Sequence, residues 1–291
     1  MYLIAEIGIN ANGNLDLAKQ MIKKAALCGA DAVKFQKRCI DKVYTKRFLD
    51  GPRDSPWGTT QREQKNGLEF SFTEYQAIDM LCKQIGIDWF ASAWDFKSLE
   101  MMESFYPPYH KIASAFNCHI PFMTQVARYG RPVMLSTGMA DMKQIETAVD
   151  VLRKNDCQDI TLLHCVSIYP CPDELCNVRA VETLKHHFPD CKVGYSGHER
   201  GIVPSIMAVG FGAEVIERHF TLDRSSYGSD QSASLEPRGL ARIAEYGKQV
   251  ESCVGDGIIK VHPDELKCAK SLRYFLEDDK WSGKEMMQRE G

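Results

Sequence analysis

Eight short apolar runs recur along the chain, and a helix-compatible stretch follows each of them. The runs are Tyr2–Glu6, Ala32–Gln36, Asp88–Ser92, Tyr109–Ala113, Val133–Ser136, Ile160–His164, Cys191–Ser196 and Val215–Arg218. Most are rich in β-branched residues and are bounded by polar or turn-forming residues, as buried strands are. The intervening stretches keep the helical period. In Leu15–Cys28 the apolar side chains are Leu17, Ala18, Met21, Ile22, Ala25 and Ala26, and Gly29 is placed to end the helix. Thr73–Ile85, Lys97–Phe105, Pro121–Tyr129, Asp141–Arg153, Val178–His187, Val203–Phe211 and Pro237–Cys253 read the same way, with Pro121 suited to a first helical turn. Strict strand–helix alternation requires parallel pairing. Eight such units predict an α/β fold closed as a (β/α)8 TIM barrel. No Gly-x-Gly-x-x-Gly follows the first strand, which disfavours a dinucleotide-binding sheet.

Residues 1–270 are expected to form this one catalytic barrel and 271–291 a C-terminal tail, with the polar stretch Asp278–Gly291 read as frayed or as a short helix. The long insertion from Ile40 to Phe70 follows the second strand and is rich in charges and turn formers. A loop of that length on the mouth of a barrel is expected to be functional.

Composition narrows the function. With 36 basic and 39 acidic residues the net charge is −3, so nothing draws the chain to nucleic acid or to a membrane surface. No basic leader precedes Tyr2–Ile7, and no apolar run approaches the roughly 18 residues of a membrane span. The expectation is a cytoplasmic protein. The 11 cysteines include no Cys-x-x-Cys pair, so reduced buried thiols are expected rather than a zinc site.

Chemistry collects where the strands end. Glu6 closes the first strand; Lys34 and Gln36 lie on the second; Ser92 and Asp95 follow the third; Lys111 and Ser114 the fourth. Ser136 ends the fifth, His164 the sixth with Ser167 and Tyr169 beyond it, and Ser196 with His198, then Glu217 with His219, end the last two. Taken singly, Lys34 with Glu6 is an ordinary buried ion pair and Ser114 and Ser136 are ordinary helix caps. Together they face one mouth. Lysines and helix-start serines suit phosphate and carboxylate groups. Two histidines with acids nearby suit Mn²⁺, Mg²⁺ or a similar ion. The combination predicts a site for an anionic, phosphorylated substrate beside a metal-polarised oxygen.

The segments Ala5-Glu6-Ile7-Gly8-Ile9-Asn10, Val33-Lys34-Phe35-Gln36, His110-Lys111-Ile112-Ala113-Ser114, Leu135-Ser136-Thr137-Gly138-Met139, Leu163-His164-Cys165 with Tyr169-Pro170, Gly194-Tyr195-Ser196-Gly197-His198, Ile216-Glu217-Arg218-His219-Phe220-Thr221 and Gly228-Ser229-Asp230 resemble the sialic acid synthase (N-acetylneuraminate and nonulosonic acid synthase) family. The motifs fall in order over about residues 1–255. The resemblance implies a barrel that condenses phosphoenolpyruvate with an N-acylmannosamine-type aldose or its 6-phosphate, giving a 2-keto-3-deoxy nonulosonic acid and phosphate. It implies His198 and His219 as ligands of a divalent metal, Mn²⁺ or Mg²⁺. Lys34, Lys111, Ser114, Ser136 and Ser196 would hold phosphoenolpyruvate. Glu6, Glu217, Asp95 and Asp230 would contact the sugar, its aldehyde or the attacking water, either glutamate serving as proton acceptor. Tyr169 would line the sugar pocket, and Ser92 and Ser167 are also expected to bind substrate. A homodimer is also implied.

The chain departs from the family pattern at the acceptor end. Phe116, followed by Asn117, stands where the family has Glu; Ser167 replaces Asn; Ser92-Ala93-Trp94-Asp95 replaces Thr-Pro-Phe-Asp. Typical members continue into a C-terminal antifreeze-like domain that lends an arginine to the site, and no such domain is found before Gly291. The Ile40–Phe70 loop, with Arg53 and Arg62, is the expected source of a substitute. Alternatives are a 3-deoxy-ulosonate synthase with another acceptor, such as mannose 6-phosphate, and a non-catalytic sugar-phosphate-binding barrel.

Overall fold

Alternation with a period of two decides what faces the barrel axis. In the computed structural model, which describes residues 1–277 and 280–283, the expected strands are β1 (Tyr2–Gly8), β2 (Ala32–Lys37), β3 (Asp88–Ala93), β4 (His110–Ile112), β5 (Val133–Ser136), β6 (Ile160–Cys165), β7 (Lys192–Gly197) and β8 (Val215–His219). They close into a barrel in sequence order, every neighbouring pair parallel and β8 returning to β1. Outside lie α1 (Leu15–Leu27), α2 (Phe72–Ile85), α3 (Phe96–Glu103), α4 (Ile120–Arg128), α5 (Met142–Lys154), α6 (Ala180–His187), α7 (Val203–Gly210) and α8 (Pro237–Val254). The expected (β/α)8 barrel is the observed one.

Ile4, Ala32, Phe90, Met134, Leu163 and Val215 form an apolar cluster apart from the main core. This cluster plugs the barrel interior. Two residues further along the same strands stand Glu6, Lys34, Ser92, Ser136, Cys165 and Glu217. The pleat puts them on the same axial face, one layer nearer the carboxyl ends. The residues between, such as Ala5, Val33, Ala91, Leu135 and Ile216, pack under the helices. Strand register levels the polar layer: Glu6 is opposite both Lys34 and His219, Ser92 opposite Lys111, and Ser196 opposite Glu217. At Gly194 a Cβ would lie 2.4 Å from the Val215 carbonyl oxygen and 2.6 Å from Leu163 Cδ2, so the plug leaves room only for glycine there.

The Ile40–Phe70 insertion is more ordered than a loop. It folds as the short helices Ile40–Val43 and Lys46–Leu49, a hairpin of Pro52–Ser55 with Gly58–Thr60, and the helix Gln61–Gly67. Thr60 and Glu63 form a capping box that starts the last of these. Trp57 meets the Tyr227 ring edge-on at 5.5 Å. Gly13 approaches so closely that a Cβ would sit 2.0 Å from the Gly67 carbonyl oxygen. The insertion is thereby fixed beside the barrel mouth.

The first compact unit is Met1–Cys253 and a second begins at Val254. The chain leaves the barrel unit ahead of the expected boundary at 270, because 255–262 is exposed and carries no regular structure. Within the second unit are the helix Pro263–Leu272 and an antiparallel hairpin of Tyr274–Glu277 with Lys280–Gly283. The expected frayed or helical end therefore pairs as a strand where it is described, and 284–291 lie outside the described residues. Among the described residues no helix is long and apolar enough to cross a membrane.

Candidate active site at the barrel mouth

Two lysines and two glutamates share the polar layer above the plug. Lys34 Nζ lies 2.8 Å from Glu6 Oε2 and 3.6 Å from Glu217 Oε2, and it donates to Ser92 Oγ at 3.2 Å. Lys111 Nζ donates to Ser136 Oγ at 2.6 Å and stands 3.8 Å from Glu217 Oε1. Ser196 Oγ donates to the same Glu217 oxygen at 3.0 Å. Gln36 donates to Glu6 Oε1 at 2.9 Å. All of these except the partly exposed Gln36 are buried.

Burial opposes charge throughout this cluster, and the neighbours decide the outcome. Burial alone would raise the Glu217 carboxyl, but Lys111 and Lys34 hold it down to about 2. Burial works against the Lys34 ammonium too, yet Glu217 and Glu6 keep its pKa above the ordinary lysine value. Lys111 goes the other way: burial lowers it, Lys34 adds to the lowering, and Glu217 offsets only part. Two buried lysines thus face a cavity of about 290 Å³ that also meets Ser114, Ser136, Ser167 and Ser196. Such a surface matches an anion with several oxygens.

The histidines stand across the cavity from the lysines' serines. Their ring centroids are 5.5 Å apart, and Tyr169 lies over His198 at 4.0 Å. His198 Nδ1 is 2.8 Å from the Val166 carbonyl oxygen, so it carries the proton and leaves the Nε2 lone pair free. Burial, with His219 alongside, lowers the His198 pKa to about 3, which keeps the ring neutral. His219 Nδ1 is buried without a hydrogen bond, 3.6 Å from Asp230 Oδ2. The neutral His198 ring and the unbonded Nδ1 of His219 fit a divalent ion, and nitrogen donors favour Mn²⁺ over Mg²⁺. Among the described residues no group of three or more His, Cys, Asp and Glu is arranged for a metal.

A second cavity of about 410 Å³ adjoins the first and shares Gln36, Trp94, Tyr169 and His219 with it. Asp230 opens onto this outer lobe, as do Arg38, Lys65 and Glu69. Arg38 lies over the Trp94 ring at 4.1 Å and donates to Gln36 Oε1. Arg38, Lys65, Glu69 and Trp94 were not anticipated as site residues. They come from strand extensions and from the insertion, where no periodic pattern marks them.

Three expectations change on the structure. Asp95 does not line either lobe: its carboxylate caps α3 through Ser98 N at 2.8 Å and Ser98 Oγ at 2.6 Å, and accepts from Cys39 N at 2.7 Å. The spacing of Asp95 and Ser98 before an apolar run is the capping signal that could have marked it. Arg62 is paired with Asp41 and lies 4.0 Å from Asp50, away from both lobes; Arg53 lines a third, neighbouring cavity with Lys65. His164 turns outward from the barrel and meets the Cys176 carbonyl oxygen at 2.9 Å. At the altered acceptor position Phe116 packs on Phe122 at 4.7 Å and edge-on to Trp94 at 5.8 Å, so no acid reaches the cavity there. Asn117 donates to the Gly138 carbonyl at 2.8 Å and braces the turn after β5.

That turn yields a test. A Cβ on Gly138 would lie 2.4 Å from Ser167 Oγ and 2.6 Å from Ser114 Oγ. Gly138→Ala must push both hydroxyls aside. The expected result is a drop of roughly 10- to 100-fold in kcat/KM for the anionic substrate, since displacements of about 1 Å at a reacting centre have effects of that order. Steady-state kinetics at unchanged thermal stability would check it; a change under threefold would show that those serines touch nothing.

A sequence profile of the NeuB family matches residues 21–259. The N-acetylneuraminate-9-phosphate synthase of Mus musculus is 39% identical over 276 residues, covering 93% of this chain and 76% of the relative. The N,N'-diacetyllegionaminic acid synthase of Campylobacter jejuni is 37% identical over 280 residues, covering 94% and 83%. The crystal structure of N-acetylneuraminic acid (sialic acid) synthetase from Leptospira borgpetersenii in complex with citrate matches at 33% identity with a TM-score of 0.81, covering 94% of this chain and 92% of that one. The resemblance carried by the eight ordered motifs is borne out, and the chain belongs to the NeuB family.

Proposed function

We propose that this NeuB-family enzyme condenses phosphoenolpyruvate with the aldehyde of an N-acylmannosamine-type aldose, or of its 6-phosphate, to give a 2-keto-3-deoxy nonulosonic acid and phosphate. One observation carries the reading above all. Lys34 and Lys111 converge on Glu217 in one buried layer, at a cavity that His198 and His219 also line. The relatives, an N-acetylneuraminate-9-phosphate synthase and an N,N'-diacetyllegionaminic acid synthase, support the same product class.

The chemistry follows from the positions. Phosphate and carboxylate of phosphoenolpyruvate take the lysine ammonium groups and the Ser136 and Ser114 hydroxyls. C3 then attacks the aldehyde carbon, positive charge develops at C2, water adds there, and the C–O bond to phosphate breaks. A divalent ion held by His198 and His219 would polarise the aldehyde oxygen. Lys34 and Lys111 offset the charge that moves onto the leaving phosphate. Glu217 has little basicity while both lysines hold it near 2. Once substrate anions engage those lysines the hold weakens, and Glu217 becomes able to accept the proton of the attacking water. Tyr169 and Asp230 flank His219 and border the outer lobe, where the aldose extends.

The acceptor end favours a sugar other than the usual one, because Phe116 and Ser167 replace an acid and an amide. Phosphate release from phosphoenolpyruvate with Mn²⁺ is the test, across N-acetylmannosamine, its 6-phosphate, mannose, mannose 6-phosphate and arabinose 5-phosphate. Release with an N-acylated hexosamine supports the nonulosonic reading. Release only with mannose 6-phosphate or arabinose 5-phosphate replaces it by a 3-deoxy-ulosonate synthase. No release by a preparation that binds no metal favours the non-catalytic barrel.

A further inference from the structure

Arg218 and Glu199 form a fully buried ion pair, each with no measurable exposure. They directly adjoin the two histidines in sequence: Glu199 follows His198, and Arg218 precedes His219. Arg218 points outward between β7 and β8, because its neighbours Glu217 and His219 take the mouth side of the pleat. Its guanidinium donates to Glu199 Oε1, to the Glu199 carbonyl oxygen, to the Gly201 carbonyl at 2.8 Å and to Ser205 Oγ at 2.8 Å. Glu199 in turn accepts from Tyr195 Oη at 2.9 Å and from Ser205 Oγ at 2.9 Å. The turn after β7 is thus tied to the end of β8 by one rigid fork.

A buried pair of this kind is a poor way to gain stability. Well-packed apolar side chains of similar volume do as well or better, because no charge is desolvated. Its value lies in direction: a planar guanidinium with several fixed donors sets the distance between the backbones it joins. Here it joins the segments that carry the two imidazoles. The β7–β8 ladder ends at Gly197 opposite Arg218, and beyond it the other support of His198, the Val166 carbonyl on Nδ1 and the Cys171 amide donating to its backbone carbonyl, comes from the β6 side.

We propose that Arg218 and Glu199 are positioning residues that set the separation of His198 and His219 for a divalent cation. This rests on the reading of those histidines as its ligands. Neither residue touches the ion or the substrate.

The experiment compares wild type with the double variant Arg218→Met, Glu199→Leu, in which packing replaces charge. Mn²⁺ binding is followed by electron paramagnetic resonance without substrate, alongside the melting temperature and phosphoenolpyruvate affinity. The expected result is a melting temperature within a few degrees of wild type, unchanged phosphoenolpyruvate affinity, and Mn²⁺ affinity weakened roughly 10- to 100-fold, the range seen when groups behind a metal ligand are removed. Wild-type Mn²⁺ affinity in the folded double variant would overturn the proposal and leave the histidine ligands standing. Failure of wild type to bind Mn²⁺ would overturn both. Should the double variant not fold, Arg218→Lys decides: it keeps the charge and loses the fork, so it must weaken Mn²⁺ binding, while Glu199→Gln, which keeps an oxygen acceptor, must recover most of it. A folded Arg218→Lys protein with wild-type affinity sinks the idea.

Discussion

Lys34→Met is expected to lower kcat/KM for phosphoenolpyruvate by roughly 10²- to 10³-fold, the effect of deleting one preorganised donor at a site of moving negative charge. The substitution keeps the aliphatic stem and removes the ammonium that lies 2.8 Å from Glu6 and 3.6 Å from Glu217. It also leaves two buried carboxylates with less cation between them, so the Glu217 pKa rises. That rise has a signature in stability. Glu217 is depressed in the folded state, so its contribution is complete above the unfolded value of about 4.3 and is lost as pH falls through its folded value of about 2. Lys34 is raised, so its contribution is complete below about 10.4 and is lost as pH climbs through its higher folded value. Glu217 and Lys34 together therefore add a flat increment between about pH 5 and 10, on which the lowered Lys111 superimposes a rise in stability as pH climbs from its folded value towards about 10.4. In Lys34→Met the acid limb moves to higher pH and the alkaline limb that Lys34 contributes disappears. Melting curves from pH 2 to 11 measure both, and a variant with less than a tenfold kinetic loss and an unmoved acid limb would show that Lys34 is a structural ion pair only.

The plug beneath that layer carries the second large effect. Phe90 is buried at the barrel axis with Ile4, Met134, Leu163 and Val215, its ring 5.8 Å from Tyr109. Phe90→Ala opens a void that strands held in register cannot close, and the expected loss is about 3–5 kcal/mol. For a unit of this size that lowers the melting temperature by roughly 6–20 °C. Leu27→Ala serves as the contrast: Leu27 is 82% exposed at the end of α1, and the expected change is within about 0.5 kcal/mol. Denaturant titration of both variants checks the pair. A loss below 1 kcal/mol for Phe90→Ala would mean that the interior is not packed as described.

The barrel was legible because each strand alternates between two buried environments, one under the helices and one on the axis, so apolar runs of fixed length survive in the sequence. The polar layer was legible for the same reason. A lysine or glutamate placed two residues after an axial Ala32 or Ile4 has nowhere to point but the mouth. What escaped the sequence depends on contacts with no local period. Arg38 reaches the outer lobe only because it stacks on Trp94 from the next strand's end. Arg62 is drawn off by Asp41 within its own insertion, a pairing that spacing alone does not reveal. Asp95 was assigned to the sugar because its capping role competes with a catalytic one at the same kind of position, a strand end before a helix. Arg218 stands in one of the eight motifs and Glu199 directly follows another, yet their mutual contact runs on the far side of the strands from the cavity, which a motif does not tell.

The central claim is that the mouth joins phosphoenolpyruvate to an aldose, rather than merely hydrolysing it. The most direct measurement is the stoichiometry of phosphate release, aldose consumption and 2-keto acid formation in one reaction with Mn²⁺. The expected result is phosphate only when an aldose is present, one phosphate per aldose consumed, and a single 2-keto-3-deoxy acid as product, all lost together in His219→Ala. Phosphate released without an aldose, with pyruvate as the product, would contradict it.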